Sequence, residues 1–91
     1  MSNVITIDGE KVEKRKALRK ESLLNLYNFY FDNRGKSAIV GFENSEDGIE
    51  EKLAYLYLAD LGLITVKAAP ELKLEARITA HGINAVENEI Q

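Results

Sequence analysis

The sequence contains no cysteine, no tryptophan, one proline and one histidine in 91 residues. Without cysteine, the chain forms no disulfide and offers no thiolate as a nucleophile or a metal ligand. One imidazole does not supply the two or three histidines of a usual zinc site, and no serine, histidine and carboxylate stand in a recognisable catalytic pattern. We therefore expect a protein that is not an enzyme and that carries no metal or other cofactor.

Long hydrophobic runs are also absent. Residues 53–64 are rich in apolar side chains, but Asp60 and Gly62 interrupt them well short of the roughly 20 residues that a membrane span needs. The N-terminus has no positively charged start followed by a long apolar stretch, as a secretory signal would. Since 45% of the residues are hydrophobic and 30% are charged, we expect one folded domain in the cytoplasm, without membrane contact.

Charge is unevenly distributed along this chain of net charge −3. Residues 11–20 contain six of the twelve basic side chains, opposed only by Glu13, whereas residues 43–51 contain five acids and no cation. One interpretation is a solvated helix face and an acidic loop, because runs of like charge usually serve solubility. The other is that the basic block contacts a phosphate backbone or an acidic partner. Both interpretations stay open.

Residues 12–32 contain neither proline nor glycine and are mostly good helix formers. They predict a helix that ends near Gly35, a residue able to adopt the left-handed conformation common after a C-terminus. Leu26 and Phe29 lie off the main apolar stripe of this helix, and the surplus apolar surface predicts contact with a partner subunit. The stripe itself recurs at three- and four-residue spacing and consists of Leu23, Leu24, Tyr27, Tyr30 and Phe31.

Residues 49–61 predict a second helix, which Gly62 ends. Its helically spaced apolar positions are Ile49, Leu53, Leu56 and Tyr57. A second apolar face consists of Tyr55, Leu58 and Ala59, so we expect this helix to be buried from more than one side. Asn44, Ser45 and Asp47 are alternative N-caps for it.

The two segments that flank the first helix give weaker signals. Val4, Ile5 and Ile7 precede the turn-forming pair Asp8 and Gly9, which predicts an arm or short strand over residues 1–10. Residues 37–42 fit either a short strand or a single helical turn.

After Gly62 the apolar period changes from about four to two, which predicts an antiparallel hairpin of residues 63–67 and 72–78 joined by a turn at 68–71. In its second strand, Leu72, Leu74, Ala76 and Ile78 should face the helices, and Lys73, Glu75 and Arg77 should face away. Thr79 stands where an N-cap belongs, before a short last helix marked by Ile83, Val86 and Ile90.

Two local sequences resemble the winged helix-turn-helix family. Residues 53–64, LAYLYLADLGLI, resemble the end of a recognition helix and its entry into the wing, and residues 77–87, RITAHGINAVE, resemble the junction that closes the wing. The resemblance covers about residues 11–89. It implies an α+β winged-helix domain over residues 11–91, with three to four helices and a β-hairpin wing.

For function, the resemblance implies a transcriptional regulator that binds double-stranded DNA as a homodimer, with one helix in the major groove. Phosphate contacts would come from Lys14, Arg15, Arg19, Lys52, Lys67, Lys73 and Arg77, and the dimer or partner interface from Leu26, Tyr27, Phe29, Tyr30 and Phe31. The sequence departs from the family pattern in three places: Glu50 and Glu51 open the recognition helix, the wing tip has no cation, and the segment for the preceding helix is short and glycine-interrupted.

The alternative function is a winged-helix protein-interaction or dimerisation module that does not bind DNA. All seven aromatic residues lie between Tyr27 and Tyr57, and aromatic side chains are favoured at the centres of interfaces. The candidates for contact with a protein partner are Tyr27, Phe29, Tyr30, Phe31, Tyr55 and Tyr57. A small domain also needs aromatic side chains for its own core, so each of them has a second, structural interpretation.

Overall fold

The computed structural model describes residues 7–89, which form three helices and one three-stranded antiparallel sheet. The elements in chain order are α1 (Gly9–Asp32), β1 (Ala38–Gly41), α2 (Glu46–Asp60), β2 (Ile64–Ala69), β3 (Lys73–Ile78) and α3 (Ala80–Glu89). The α+β class expected from the sequence is confirmed.

Helix α1 begins at Gly9, about three residues earlier than the sequence predicted. The carboxylate of Asp8 accepts hydrogen bonds from the backbone N–H groups of Glu10 and Lys11, so Asp8 is an N-cap and not part of a tight turn. Residues 9 and 10 are therefore helical, whereas the strand expected over residues 1–10 falls mainly on residues outside the described range. At the other end, Gly35 has a φ of 79°, as predicted.

The undecided segment after α1 forms strand β1, which pairs with β3 and gives the sheet the order β1-β3-β2. The predicted hairpin of β2 and β3 is confirmed, with Ile64 opposite Ile78. Pairing continues to Ala69 opposite Lys73, so the turn lies at residues 70–72 and not at 68–71. Leu72 is consequently in the turn and 42% exposed, and its expected place on the buried strand face is wrong.

One face of the sheet packs against all three helices. Ala76 in the central strand is 1% exposed, and Tyr55 of α2 packs edge-on against Phe42 with ring centroids 5.6 Å apart. Leu26 of α1 is 3% exposed within this core, so its expected role in a partner interface is wrong. The other buried apolar residues are Ala38, Ala54, Leu58, Ile64, Leu74, Ile78 and Val86.

The hairpin is closed at its base by a hydrogen-bonded junction. Gly62, which follows the C-cap Leu61 of α2, has a φ of 78°, and the Leu63 N–H donates to the Leu58 carbonyl at 3.0 Å, the pattern of a Schellman motif. The Thr79 hydroxyl donates to the Gly62 carbonyl at 2.7 Å and accepts from the Gly82 N–H at 3.0 Å. Thr79 therefore caps α3, as predicted, and also ties α3 to the end of α2.

The segment before α2 differs from the one that the winged-helix resemblance implies. Residues 42–45 lead from β1 directly into α2, and Ser45 caps that helix by accepting from the Gly48 N–H at 3.1 Å. Within residues 7–89 no helix lies between β1 and α2, because only the four residues 42–45 separate them. The described chain has three helices, and its second helix is not preceded by the first member of a helix-turn-helix pair.

We expect Thr79→Ala to lower the free energy of unfolding by about 1–2 kcal/mol, because it removes a helix cap and the donor to the Gly62 carbonyl. Urea denaturation measures this change. Thr79→Ser is the matched control, since it keeps the hydroxyl group and should recover most of the loss. A serine variant as unstable as the alanine variant would show that the threonine methyl group, not the hydroxyl group, stabilises the junction.

Candidate interaction surface

Helix α2 carries apolar side chains on two faces, and the structure buries only one of them. Ala54, Tyr55 and Leu58 point into the core. The opposite face, the α2 stripe, remains in solvent and consists of Ile49, Leu53, Tyr57 and Leu61, which are 55%, 53%, 42% and 50% exposed. The expectation that α2 is buried from more than one side is therefore wrong for this chain alone.

The four members of the α2 stripe follow one another at intervals of four residues. At 1.5 Å per residue the stripe is about 18 Å long. Glu50 and Asp60 lie three residues from Leu53 and Tyr57, respectively, and so share this face. The surface is an apolar ridge with acidic groups beside it.

Helix α1 supplies cations along one edge of the stripe. The Arg15 guanidinium donates to both carboxylate oxygens of Glu50, at 2.7 and 3.1 Å. One turn further on, the Arg19 guanidinium lies 3.9 Å from the centre of the Tyr57 ring, which is cation–π geometry. The hydrogen bond to Arg15 lowers the pKa of the Glu50 carboxyl group. Two expected phosphate contacts, Arg15 and Arg19, thus have partners on α2.

An open groove of about 790 Å³ lies between the N-terminal halves of α1 and α2. Its α1 wall is basic and contains Lys11, Lys14 and Arg15. The α2 wall combines the start of the stripe with acids and contains Glu46, Asp47, Ile49, Glu50 and Glu51. The two charged blocks of the sequence therefore face each other across this groove.

The remaining expected phosphate contacts lie elsewhere. Lys67, Lys73 and Arg77 are exposed and project from the outer face of the sheet, opposite to the face that carries Ala76. Lys73 lies 4.0 Å from a carboxylate oxygen of Glu71, and the Arg77 guanidinium lies 5.5 Å from the centre of the Tyr30 ring. Lys52 is half-buried on α2. The structure thus groups three of the seven candidates on the sheet and divides the others between the helices.

The aromatic residues expected at a partner interface are mostly engaged within the chain. The Tyr27 hydroxyl donates to Glu87 of α3 at 2.8 Å, a bond that raises the pKa of Tyr27. Phe29 and Tyr30 are half-buried against the core, and among the aromatic residues of α1 only Phe31 is strongly exposed, at 54%. Its ring lies 4.9 Å from that of Tyr27 and 5.2 Å from that of Tyr30. The surplus apolar surface is therefore larger on α2 than on α1.

Ile49, Leu53 and Leu61 are the candidate contact residues that the sequence analysis missed, because it assigned the apolar positions of α2 to the core. A signal was present in the sequence. Glu50 and Asp60 lie on the same helix face as Leu53 and Tyr57. Acidic side chains on an otherwise apolar face indicate that this face is exposed to solvent. On the face of Tyr55 and Leu58 no acid follows Glu51, which lies one turn before Tyr55.

Within residues 7–89, no helix has an apolar stretch long enough to cross a membrane, and no three potential metal ligands cluster. Comparison of the chain with protein-family models, with curated proteins and with solved structures found no match. Functional assignment therefore depends on the geometry of the α2 stripe and its charged surroundings.

The ion pair between Arg15 and Glu50 gives a pH-dependent prediction. At neutral pH, Glu50→Gln should unfold at a lower urea concentration than the wild type. Since the folded-state pKa of Glu50 is lowered from its ordinary value of 4.5, the carboxylate stabilises the fold above that value. This stabilisation is lost as the pH falls through the lowered pKa. The difference in unfolding urea concentration between Glu50→Gln and the wild type should therefore narrow in that pH range. Urea denaturation over a pH series measures it.

The effect should be modest and should weaken with added salt, because the side chains of Arg15 and Glu50 are 47% and 35% exposed. Glu51→Gln is the matched control, since this neighbouring acid forms no ion pair within the described part of the chain. A difference between Glu50→Gln and the wild type that stays constant down to about pH 2 would contradict a charge-based effect.

Proposed function

We propose that this chain is a protein-interaction module, and that the α2 stripe packs against an apolar helix of a protein partner. The observation that carries the proposal is the exposure of Ile49, Leu53, Tyr57 and Leu61 in one line on one helix. A single exposed leucine needs no explanation, but contiguous exposed apolar surface is typical of interaction sites.

The surroundings of the stripe suit a helical partner. An amphipathic helix binds a groove through apolar residues spaced three and four apart, the same spacing as the stripe. The stripe adjoins a groove whose walls carry opposite charges. Burial of the four side chains would contribute roughly 25 cal/mol for each Å² of apolar surface removed from water. Charged groups at the rim would then orient the partner more than they add affinity.

Base reading by α2 is disfavoured by the chemistry of its outward face. Contacts to base edges in the major groove come mainly from Arg, Lys, Asn and Gln side chains. On α2, Glu50 and Asp60 accompany apolar residues at those positions, and their charge repels phosphates. Arg15 and Arg19, the nearest cations, already contact Glu50 and Tyr57.

We also propose that the fold is a winged-helix variant in which β2 and β3 form the wing. Support comes from the order of the elements and from the junction where Gly62 leaves α2 and Thr79 starts α3. The missing helix before α2 is the main departure from that architecture. An α2 without its usual preceding helix has more open surface, which agrees with a role in protein contact.

A second candidate function is sequence-independent DNA binding through the outer face of the sheet. The specific observation in its favour is that Lys67, Lys73 and Arg77 share this face and are all exposed. Cations of this kind neutralise phosphates without reading bases, so such binding would weaken steeply with added salt.

Fluorescence anisotropy with a short random-sequence duplex at low salt separates the two functions. The proposed function predicts no binding by the wild type in the range of about 10⁻⁴–10⁻⁶ M that non-specific binders reach. The proposal would be contradicted by salt-sensitive binding that the combined Lys67→Ala, Lys73→Ala and Arg77→Ala variant abolishes. Apart from any effect on DNA binding, the triple variant should have the same fold and stability as the wild type, because the three replaced side chains are exposed.

A further inference from the structure

We infer that the occupant of the α2 stripe is a second copy of this chain. The two α2 helices pack antiparallel, stripe against stripe, and the two-fold axis passes between them at the level of Tyr55 along each helix. This inference rests on the proposed function, since it names the partner of the same surface. It requires a surface that is complementary to itself, because the same patch contributes twice to a two-fold interface.

The spacing of the stripe meets that requirement. Ile49 and Leu61 lie six residues before and after Tyr55, and Leu53 and Tyr57 lie two residues before and after it. An antiparallel pair therefore brings the Ile49 end of one helix to the Leu61 end of the other. Leu53 comes to the level of the partner's Tyr57, so that an aliphatic and an aromatic side chain meet on either side of the axis.

Charge selects the antiparallel over the parallel arrangement. The first two turns of α2 carry acids only up to Lys52, and a parallel pair would place both acidic ends together. In the antiparallel pair the two acidic ends lie at opposite ends of the interface. Glu50, whose carboxylate accepts from Arg15 at 2.7 and 3.1 Å, comes to the level of Asp60 in the other copy, where the Arg15 guanidinium offsets the repulsion between the two carboxylates. The dipoles of the two helices are also antiparallel in this arrangement, which is favourable.

The inferred dimer gives Arg19 a second role. In one chain its guanidinium lies over the face of the Tyr57 ring. In the dimer it would lie at the rim of the interface, at the level of Leu53 in the other copy. A cation held over an aromatic ring is already ordered, so less conformational freedom is lost when the second copy docks.

Sedimentation velocity over a series of protein concentrations tests the association. The full chain should form a dimer whose dissociation constant rises at least about tenfold in Leu53→Lys, because a lysine ammonium would be buried at the centre of the interface. Ile39→Lys is the matched control. Ile39 is also a large exposed side chain, at 60%, but it lies on the sheet opposite Glu75. This variant should dimerise as the wild type does.

The orientation can be measured with a spin label, because the chain has no cysteine of its own. Glu46 lies at the start of α2, nine residues before Tyr55. In an antiparallel dimer of labelled Glu46→Cys, the two labelled backbones lie about 27 Å or more apart along the helices. In a parallel dimer they lie about 10 Å apart. A distance distribution near the shorter value would overturn the antiparallel arrangement.

Failure of this inference can be told from failure of the proposed function. A wild type that stays monomeric but binds the apolar dye ANS, with the dye signal lost in Leu53→Lys and kept in Ile39→Lys, would overturn the homodimer. The stripe would then still be open to a different protein. A monomer without stripe-dependent dye binding that binds the duplex through the sheet cations would overturn both. Dimerisation unchanged in Leu53→Lys would overturn the inference because it would place the interface elsewhere.

Discussion

The fold depends on the junction at which the end of α2, the base of the hairpin and the start of α3 meet. The Thr79 hydroxyl group bridges the Gly62 carbonyl and the Gly82 N–H, and the Thr79 N–H donates to the Leu63 carbonyl. Gly82 lies so close that a Cβ atom there would stand 2.1 Å from the Leu63 carbonyl oxygen. Because the backbones touch directly, the start of α3 is held against the end of α2 and the base of the hairpin. Tyr55 and Leu58 then face the core.

Once that face of α2 is buried, no element within residues 7–89 covers the other. Helix α1 lies along one edge of α2 and reaches it through Arg15 and Arg19, while α3 packs against α1. A chain of 91 residues buries a smaller fraction of its surface than a larger domain does. The stripe along Leu53 and Tyr57 is therefore apolar surface that the described part of this small fold leaves exposed. Contact with a second polypeptide chain would cover it.

Local signals in the sequence predicted the parts of the fold that depend on neighbouring residues. Gly62, Thr79 and the period-two pattern after residue 63 each act through the backbone within a few positions, and each was found as predicted. The orientation of α2 was not predictable in this way, because both of its faces are apolar and packing against α1 and β2 decides which is buried. Strand β1 was ambiguous for the same reason, since its partner lies more than 30 residues away. The candidate surface was missed as a consequence.

The two charged blocks of the sequence show why a count of cations is a weak guide to function. Taken alone, residues 11–20 have the composition of a phosphate-binding segment. In the fold they stand across a groove from residues 46–51, and the Arg15 pair with Glu50 spans 35 positions of the chain. Cations held by acids of the same molecule must first be released before they can neutralise a phosphate. In the fold the basic block is one wall of a groove, and the apolar ridge lies beside it.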